Sequence, residues 1–218
     1  MLYSSVIIKI LTRINFINRH IFFKSMKPAL LIIDCQNDFV KGKSAYSCTM
    51  LDDKLIARIK SLIEHCRSEK IPIIYTQHGI KSDKSNAENG EPEDVRACII
   101  GTEGWKIINT IKPEKNDSIV WKDKFDAFYN TNLDDILKKQ KIDTLIVCGV
   151  NSNNCVRSTS EGAYYRGYKL MLVKDCCGAI SFVKGYTPAQ INDLTLKELA
   201  ERTYNTELLT LAQLQARI

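Results

Sequence analysis

Cys155 lies in the string Val147-Cys148-Gly149-Val150-Asn151-Ser152-Asn153-Asn154-Cys155-Val156. The apolar run 144–147 reads as a buried parallel strand, Gly149 ends it, and a short polar turn brings Cys155 to the start of a predicted helix. A thiol there meets the positive end of the helix dipole, which favours the thiolate, the nucleophilic form. Covalent catalysis is the chemistry such a group could do. A cysteine that merely packs a helix start would look the same in isolation.

Two more residues join it. Asp34 follows the apolar run 29–33, and Lys122 ends the run 118–122. In open parallel α/β sheets, ligands bind outside the carboxyl ends of the strands. Three strand ends thus deliver an acid, an amine and a thiol toward one edge. Singly, Asp34 could cap a turn and Lys122 could be a solvated strand end; together they form a constellation.

The elements that must position them follow from periodicity. Continuous apolar runs predict strands over 29–34, 72–76, 118–122, 143–148 and 169–173, the last ended by Asp175. Apolar residues at Leu55, Ile59, Leu62, Ile63 and Cys66 predict a helix over 51–68. Further helices are predicted over 103–110, from an Asn130-Thr131-Asn132 cap through Leu133, Ile136 and Leu137, over 153–166 and over 190–201. Residues 203–205 read as a short last strand, with Thr206 capping a final helix. Residues 79–97 and 178–188 read as loops. Alternating strands and helices imply βαβ units, hence an α/β fold with a parallel sheet covered on both faces.

The 218 residues suffice for one domain with a sizeable core, and 44% hydrophobic with 26% charged residues is ordinary for a globular chain. The net charge is +6, of which Lys9, Arg13, Arg19 and Lys24 supply +4 within residues 1–25. The nearly neutral remainder argues against nucleic-acid binding. No G-x-G-x-x-G follows a strand, and neither a P-loop nor a G-x-S-x-G elbow is present. The eight cysteines are scattered without a C-x-x-C pair, which points to a reducing compartment rather than a disulfide scaffold. Residues 1–25 are apolar, basic and free of acids, too broken by charge for a membrane span. They fit either a mitochondrial transit peptide or sequence upstream of a true start at Met26. The domain is expected over 26–218, in the cytoplasm unless that leader is genuine.

The motifs resemble the isochorismatase-like cysteine hydrolases, near the N-carbamoylsarcosine amidase and ureidoacrylate amidohydrolase branch. Leu31-Ile32-Ile33-Asp34-Cys35-Gln36-Asn37-Asp38-Phe39 is similar to the family's D-x-Q-N-D-F opening. The stretch Lys122-Asp123-Lys124-Phe125-Asp126-Ala127-Phe128-Tyr129-Asn130-Thr131-Asn132-Leu133 resembles K-x-R-[FY]-S-A-F-x-G-T-x-L. Gly149 to Val156 resembles G-V-A-T-N-x-C-V. The resemblance spans about residues 28–214. It implies a three-layer α/β/α sandwich with a six-stranded parallel sheet and an Asp34, Lys122, Cys155 triad. It also implies a cis peptide before Asn151, with the backbone N–H groups of Asn151 and Cys155 as oxyanion hole.

Departures from the pattern are Asn151 for a small residue, Asn154 for an apolar one and Asp126 for serine. Candidate substrate-binding residues are Phe39, His78, Trp105, Phe128 and Asn154. The histidines are only His20, His65 and His78, without the D-x-H-x-x-H-like spacing of the nicotinamidase branch, so no metal and no cofactor are expected. Lys122 is expected to draw both the thiol and the carboxyl pKa downward. The reaction implied is C–N hydrolysis of a small amide or ureido substrate, with vinyl-ether cleavage or a silent binding or redox-sensing relative as alternatives. The resemblance further implies a homo-oligomer.

Overall fold

The computed structural model describes residues 26–42, 47–86 and 97–218. The N-terminal segment 1–25, on which the transit-peptide and start-site expectations rest, lies outside the described residues. Six strands build one parallel sheet: β1 (Pro28–Ile33), β2 (Ile73–His78), β3 (Ser118–Lys122), β4 (Thr144–Val150), β5 (Lys169–Gly178) and β6 (Thr206–Leu209). Their order across the sheet is β3-β2-β1-β4-β5-β6. Every pairing is parallel.

Side chains alternate between two cores, as a pleated strand requires. Leu30 and Ile32 of β1 face one way, together with α1 (Asp53–Ser68). Ala29, Leu31 and Ile33 face the other way, together with α2 (Leu133–Lys139), α3 (Arg157–Tyr165) and α4 (Pro188–Arg202). The last helix, α5 (Leu211–Gln215), returns to the α1 side through Leu211 and Leu214. The sandwich therefore has three layers, with β1 and β4 central and buried on both faces, which is why their sequences are unbroken apolar runs.

Helix starts are chemically specified. The Asp52 carboxylate accepts from the N–H groups of Lys54 and Leu55 at 3.1 and 3.0 Å. Thr187 with Gln190, and Thr210 with Gln213, form reciprocal capping boxes at α4 and α5. No helix among the described residues is long and apolar enough to cross a membrane. All eight cysteines are buried and free.

Three local expectations need correction. Residues 103–110 do not form a helix: the segment is turns followed by a short 3-10 helix, Asn109–Ile111. Its carbonyls are used elsewhere, since Asn37 and Asp38 donate to the carbonyls of Lys106 and Gly104 at 3.0 Å each. Strand β5 continues past Asp175, whose carboxylate accepts from the Leu211 N–H at 2.8 Å. The last strand is Thr206–Leu209 rather than 203–205, and Thr210, not Thr206, caps the final helix. Ahead of α2, within the expected Asn130-Thr131-Asn132 cap, the Thr131 side chain accepts from the Leu133 N–H at 3.2 Å.

Candidate active site

Gly149 lets the two central strands meet tightly where the site begins. A Cβ on it would sit 2.1 Å from the Ile33 carbonyl oxygen, and its φ is +119. Only glycine satisfies both demands. The chain leaves β1 at Asp34 with φ 49, an uncommon conformation for a side-chain-bearing residue. Thr76, within β2, fixes that turn. Its hydroxyl donates to Asp34 Oδ1 at 2.6 Å and accepts from the Asp34 N–H at 3.1 Å.

Lys122 ends β3 two strands away and reaches inward. Its ammonium lies 2.7 Å from Asp34 Oδ2, and both side chains are 0% exposed. It also donates to the Lys124 carbonyl at 2.9 Å and to Cys155 Sγ at 3.4 Å. Three partners use all three ammonium protons, so the charge is held in place. Cys155 sits in a π-helical turn, Ser152–Val156, that runs into α3. The Val150–Asn151 peptide before it is cis. The Asn151 carbonyl closes the turn by accepting from the N–H groups of Asn154 and Val156 at 3.0 and 3.1 Å. The structure thus brings Asp34, Lys122 and Cys155 together.

The electrostatics correct one expectation. Burial pushes the Cys155 thiol up, to about 12; Lys122 opposes this and the Asp34 charge adds to it. The helix dipole does not prevail, because the residue is buried one turn ahead of α3 and faces an anion as well as a cation. The resting group is therefore a thiol. For Asp34, burial also raises the carboxyl, but Lys122, then His78 and Thr76, outweigh it and leave the carboxyl below its ordinary value. Burial would lower Lys122, yet Asp34 and Cys155 hold it above its usual range. At neutral pH the triad is carboxylate, ammonium and neutral thiol.

The candidate substrate residues divide. His78 lies opposite Lys122 in the β2–β3 register and on the same face of β2 as Thr76. Burial lowers its imidazole to about 4, with Lys122 adding to the effect, so the ring is neutral. Trp105 is partly buried, with its indole against Gly79. Asn154 is partly buried in the turn carrying Cys155. Phe39 is committed to the α1-side core. Phe128 stacks on Tyr168 at 6.0 Å between centroids, under the Arg166 guanidinium. Phe128 and Cys155 belong to the same buried cluster on the α2–α4 side of the sheet. Among the described residues, no three His, Cys, Asp or Glu side chains gather to hold a metal.

Sequence reasoning missed Thr76 and Gln36. Gln36 belongs to the first motif, but nothing local reveals what its side chain bonds. Its amide donates to the His78 and Trp105 carbonyls at 2.8 and 2.7 Å and accepts from the His78 N–H at 2.8 Å.

Comparison with known proteins adds to this geometry. Residues 28–210 match the isochorismatase domain. The uncharacterized isochorismatase family protein YddQ of Bacillus subtilis is 30% identical over 153 residues, covering 70% of this chain and 78% of its own. A ureidoacrylate amidohydrolase, RutB of Methylorubrum extorquens, is 27% identical and covers 71% of each chain. The crystal structure of N-carbamoylsarcosine amidase from Thermoplasma acidophilum superposes with a TM-score of 0.67 at 26% identity, covering 85% of this chain and 97% of its own.

Proposed function

The chain belongs to the isochorismatase family of hydrolases, and from that premise we propose that it cleaves a C–N bond of a small amide or ureido compound through a thioester on Cys155. The observation that carries this reading is the Lys122 ammonium bridging the Asp34 carboxylate and the Cys155 sulfur. A nucleophile, a base and a fixed positive charge share one buried point. Two relatives are named for amidase and amidohydrolase activity.

The steps follow from the protonation states. Substrate binds with its carbonyl carbon at Cys155 Sγ. As sulfur attacks, its proton passes to Asp34 and the carbonyl π pair moves onto oxygen. The backbone N–H groups of Asn151 and Cys155 hold that oxyanion; a donor so placed lowers the barrier by about 3 kcal/mol. The intermediate collapses, the C–N bond breaks, and Asp34 gives its proton to the leaving nitrogen. Ammonia or an amine departs. Water then attacks the thioester, losing a proton to Asp34, and the C–S bond breaks as that proton returns to sulfur. Lys122 keeps its proton throughout, stabilising whichever neighbour is anionic. His78, Trp105 and Asn154 contact the remainder of the substrate.

The test is ammonia release by the purified full chain against ureido, carbamoyl and primary amide compounds, with Cys155→Ala in parallel. Turnover that disappears in the variant, while its cooperative thermal melt persists, is the expected result. Comparable turnover by the variant would overturn covalent catalysis. Cleavage of a vinyl ether without any ammonia from the panel would overturn the C–N assignment.

A further inference from the structure

Two buried hydrogen-bonding atoms have no partner among the described residues: His78 Nδ1, on a ring that acts on the Asp34 charge, and Trp105 Nε1, against Gly79. Buried indole N–H and imidazole nitrogens usually find one. The two side chains come from separate parts of the chain, the end of β2 and the turns after residue 101. One carboxamide joins them. Gln36, which is fully buried, grips the His78 backbone at both its N–H and its carbonyl. The same amide nitrogen donates to the Trp105 carbonyl. That carbonyl also accepts from Gln77 Nε2 at 2.9 Å. Around this point the strap carrying Trp105 is zipped to the start of the chain by the Gln36–Ile107 bridge and by Asp38, whose carboxylate accepts from the Cys98 N–H at 2.6 Å. Gly79, next to His78, leaves room for the indoles around it: a Cβ there would come 2.3 Å from Trp121 Nε1 and 3.0 Å from Trp105 Nε1.

We infer that Gln36 is a positioning residue that locks His78 and Trp105 into a single substrate-reading wall, setting substrate affinity while leaving the thiol chemistry untouched. The inference rests on the proposed binding of an amide or ureido group at Cys155. All three hydrogen bonds of the Gln36 carboxamide go to main chain, and none goes to the triad. Its influence must therefore pass through the two backbones it holds. A neutral imidazole and an indole N–H offer hydrogen bonds to a polar, uncharged group, which is what an amide or ureide presents. Misplacement of such a wall weakens binding of the ground state and the transition state alike, the signature of a uniform binding loss.

Iodoacetamide tests this without knowledge of the natural substrate, because it is itself a primary amide. Cys155 Sγ displaces its iodide while the thiol proton passes to Asp34. Mass spectrometry of the Cys155 peptide against probe concentration yields a binding constant, KI, and a limiting rate, kinact. In Gln36→Met, KI is expected to rise about tenfold or more, with kinact within about threefold of the wild type. Adding Trp105→Phe to that variant is expected to raise KI by less than about twofold further, since a wall already displaced has little left to lose. Gln36→Glu keeps the side-chain length but loses the two donated bonds, and must also raise KI; it stands in should Gln36→Met lose its cooperative melt. An unchanged KI, a loss confined to kinact, or losses that multiply in the double variant would each overturn the inference. Those outcomes leave covalent hydrolysis standing, whereas full amide turnover by Cys155→Ala would remove the proposed chemistry and not the binding result.

Discussion

Replacing Lys122 by methionine should destabilise the protein in a way that pH reveals. The ammonium and the Asp34 carboxylate are 2.7 Å apart and fully buried. At an effective dielectric of about 20, their attraction is about 6 kcal/mol. Removing two ions from water costs several kcal/mol each, so the intact pair is close to neutral for stability. Removing one partner is different, because it leaves a buried, uncompensated carboxylate, at about 3–5 kcal/mol. In the wild type, burial raises the Asp34 carboxyl and Lys122 is the largest force against it, leaving the carboxyl below 3.8. Its stabilisation is present above 3.8 and is lost as pH falls through the lower folded value. In Lys122→Met, burial prevails and the folded carboxyl rises above 3.8. The variant then loses stability as pH rises through that window. Urea unfolding at pH 4.5 and pH 7.5 should therefore show a gap of about 3 kcal/mol or more at the higher pH that narrows at the lower. The double variant Asp34→Asn with Lys122→Met should recover most of the loss. A gap under about 1 kcal/mol at pH 7.5, or one independent of pH, would refute the reasoning.

Three other outcomes follow from the same contacts. Thr76→Val removes the hydroxyl that both donates to Asp34 and accepts from its N–H; kcat/KM should fall by about 10- to 100-fold, and an unchanged value would show that the turn at Asp34 is self-sufficient. Gly149→Ala should cost about 3 kcal/mol or more, because a methyl group meets the Ile33 carbonyl in a backbone conformation that alanine resists; a melt within a degree or two of the wild type would contradict the contact. Burial raises all eight thiols above 9.0, with Cys66, Cys155 and Cys177 near 12. The stability this represents is complete below 9.0 and declines as pH rises toward 12, so urea midpoints should drop between pH 8.5 and 10.5, and a flat profile would show the thiols to be accessible.

The strands were legible because a strand buried on both faces must be an unbroken apolar run, and residues 29–33 and 144–147 are such runs. Asp34 stood out for the same reason, a charge at the end of a buried run; Lys122 stood out as a charge ending an apolar run, although that run is the edge strand β3, with Ile119 and Trp121 exposed. The failures were at positions governed by distant partners. Residues 103–110 carry a plausible helical spacing, yet their carbonyls are taken by Asn37 and Asp38. The roles of Thr76 and Gln36 depend on partners 42 and up to 69 residues away, which no local window contains. Phe39 and Phe128 are aromatic and lie in the expected motifs, and their rings pack, Phe39 in the α1-side core and Phe128 on Tyr168. The thiol's protonation state was misjudged because a helix start is visible in sequence and burial beside an anion is not.

That misjudgement bears on what Cys155 is suited to do. A redox-sensing cysteine depends on an exposed, low-pKa thiolate. Cys155 is 6% exposed, and its thiol is held up to about 12 by burial and by Asp34. It is thus poorly suited to react with an oxidant that brings no base of its own. The proposed hydrolysis has no such difficulty, because its base is already in place. The carboxylate that raises the thiol pKa is the group that receives the proton, and Lys122 touches both. Transfer from sulfur to Asp34 relocates one negative charge between two neighbours of the same ammonium, without creating a new unpaired charge in the interior. The cost of forming the thiolate is then met only as the sulfur–carbon bond forms, with oxyanion donors taking up the charge. A raised thiol pKa, which at first sight argues against nucleophilic catalysis, therefore fits the proposed carbonyl substrate better than an oxidant as the partner for Cys155.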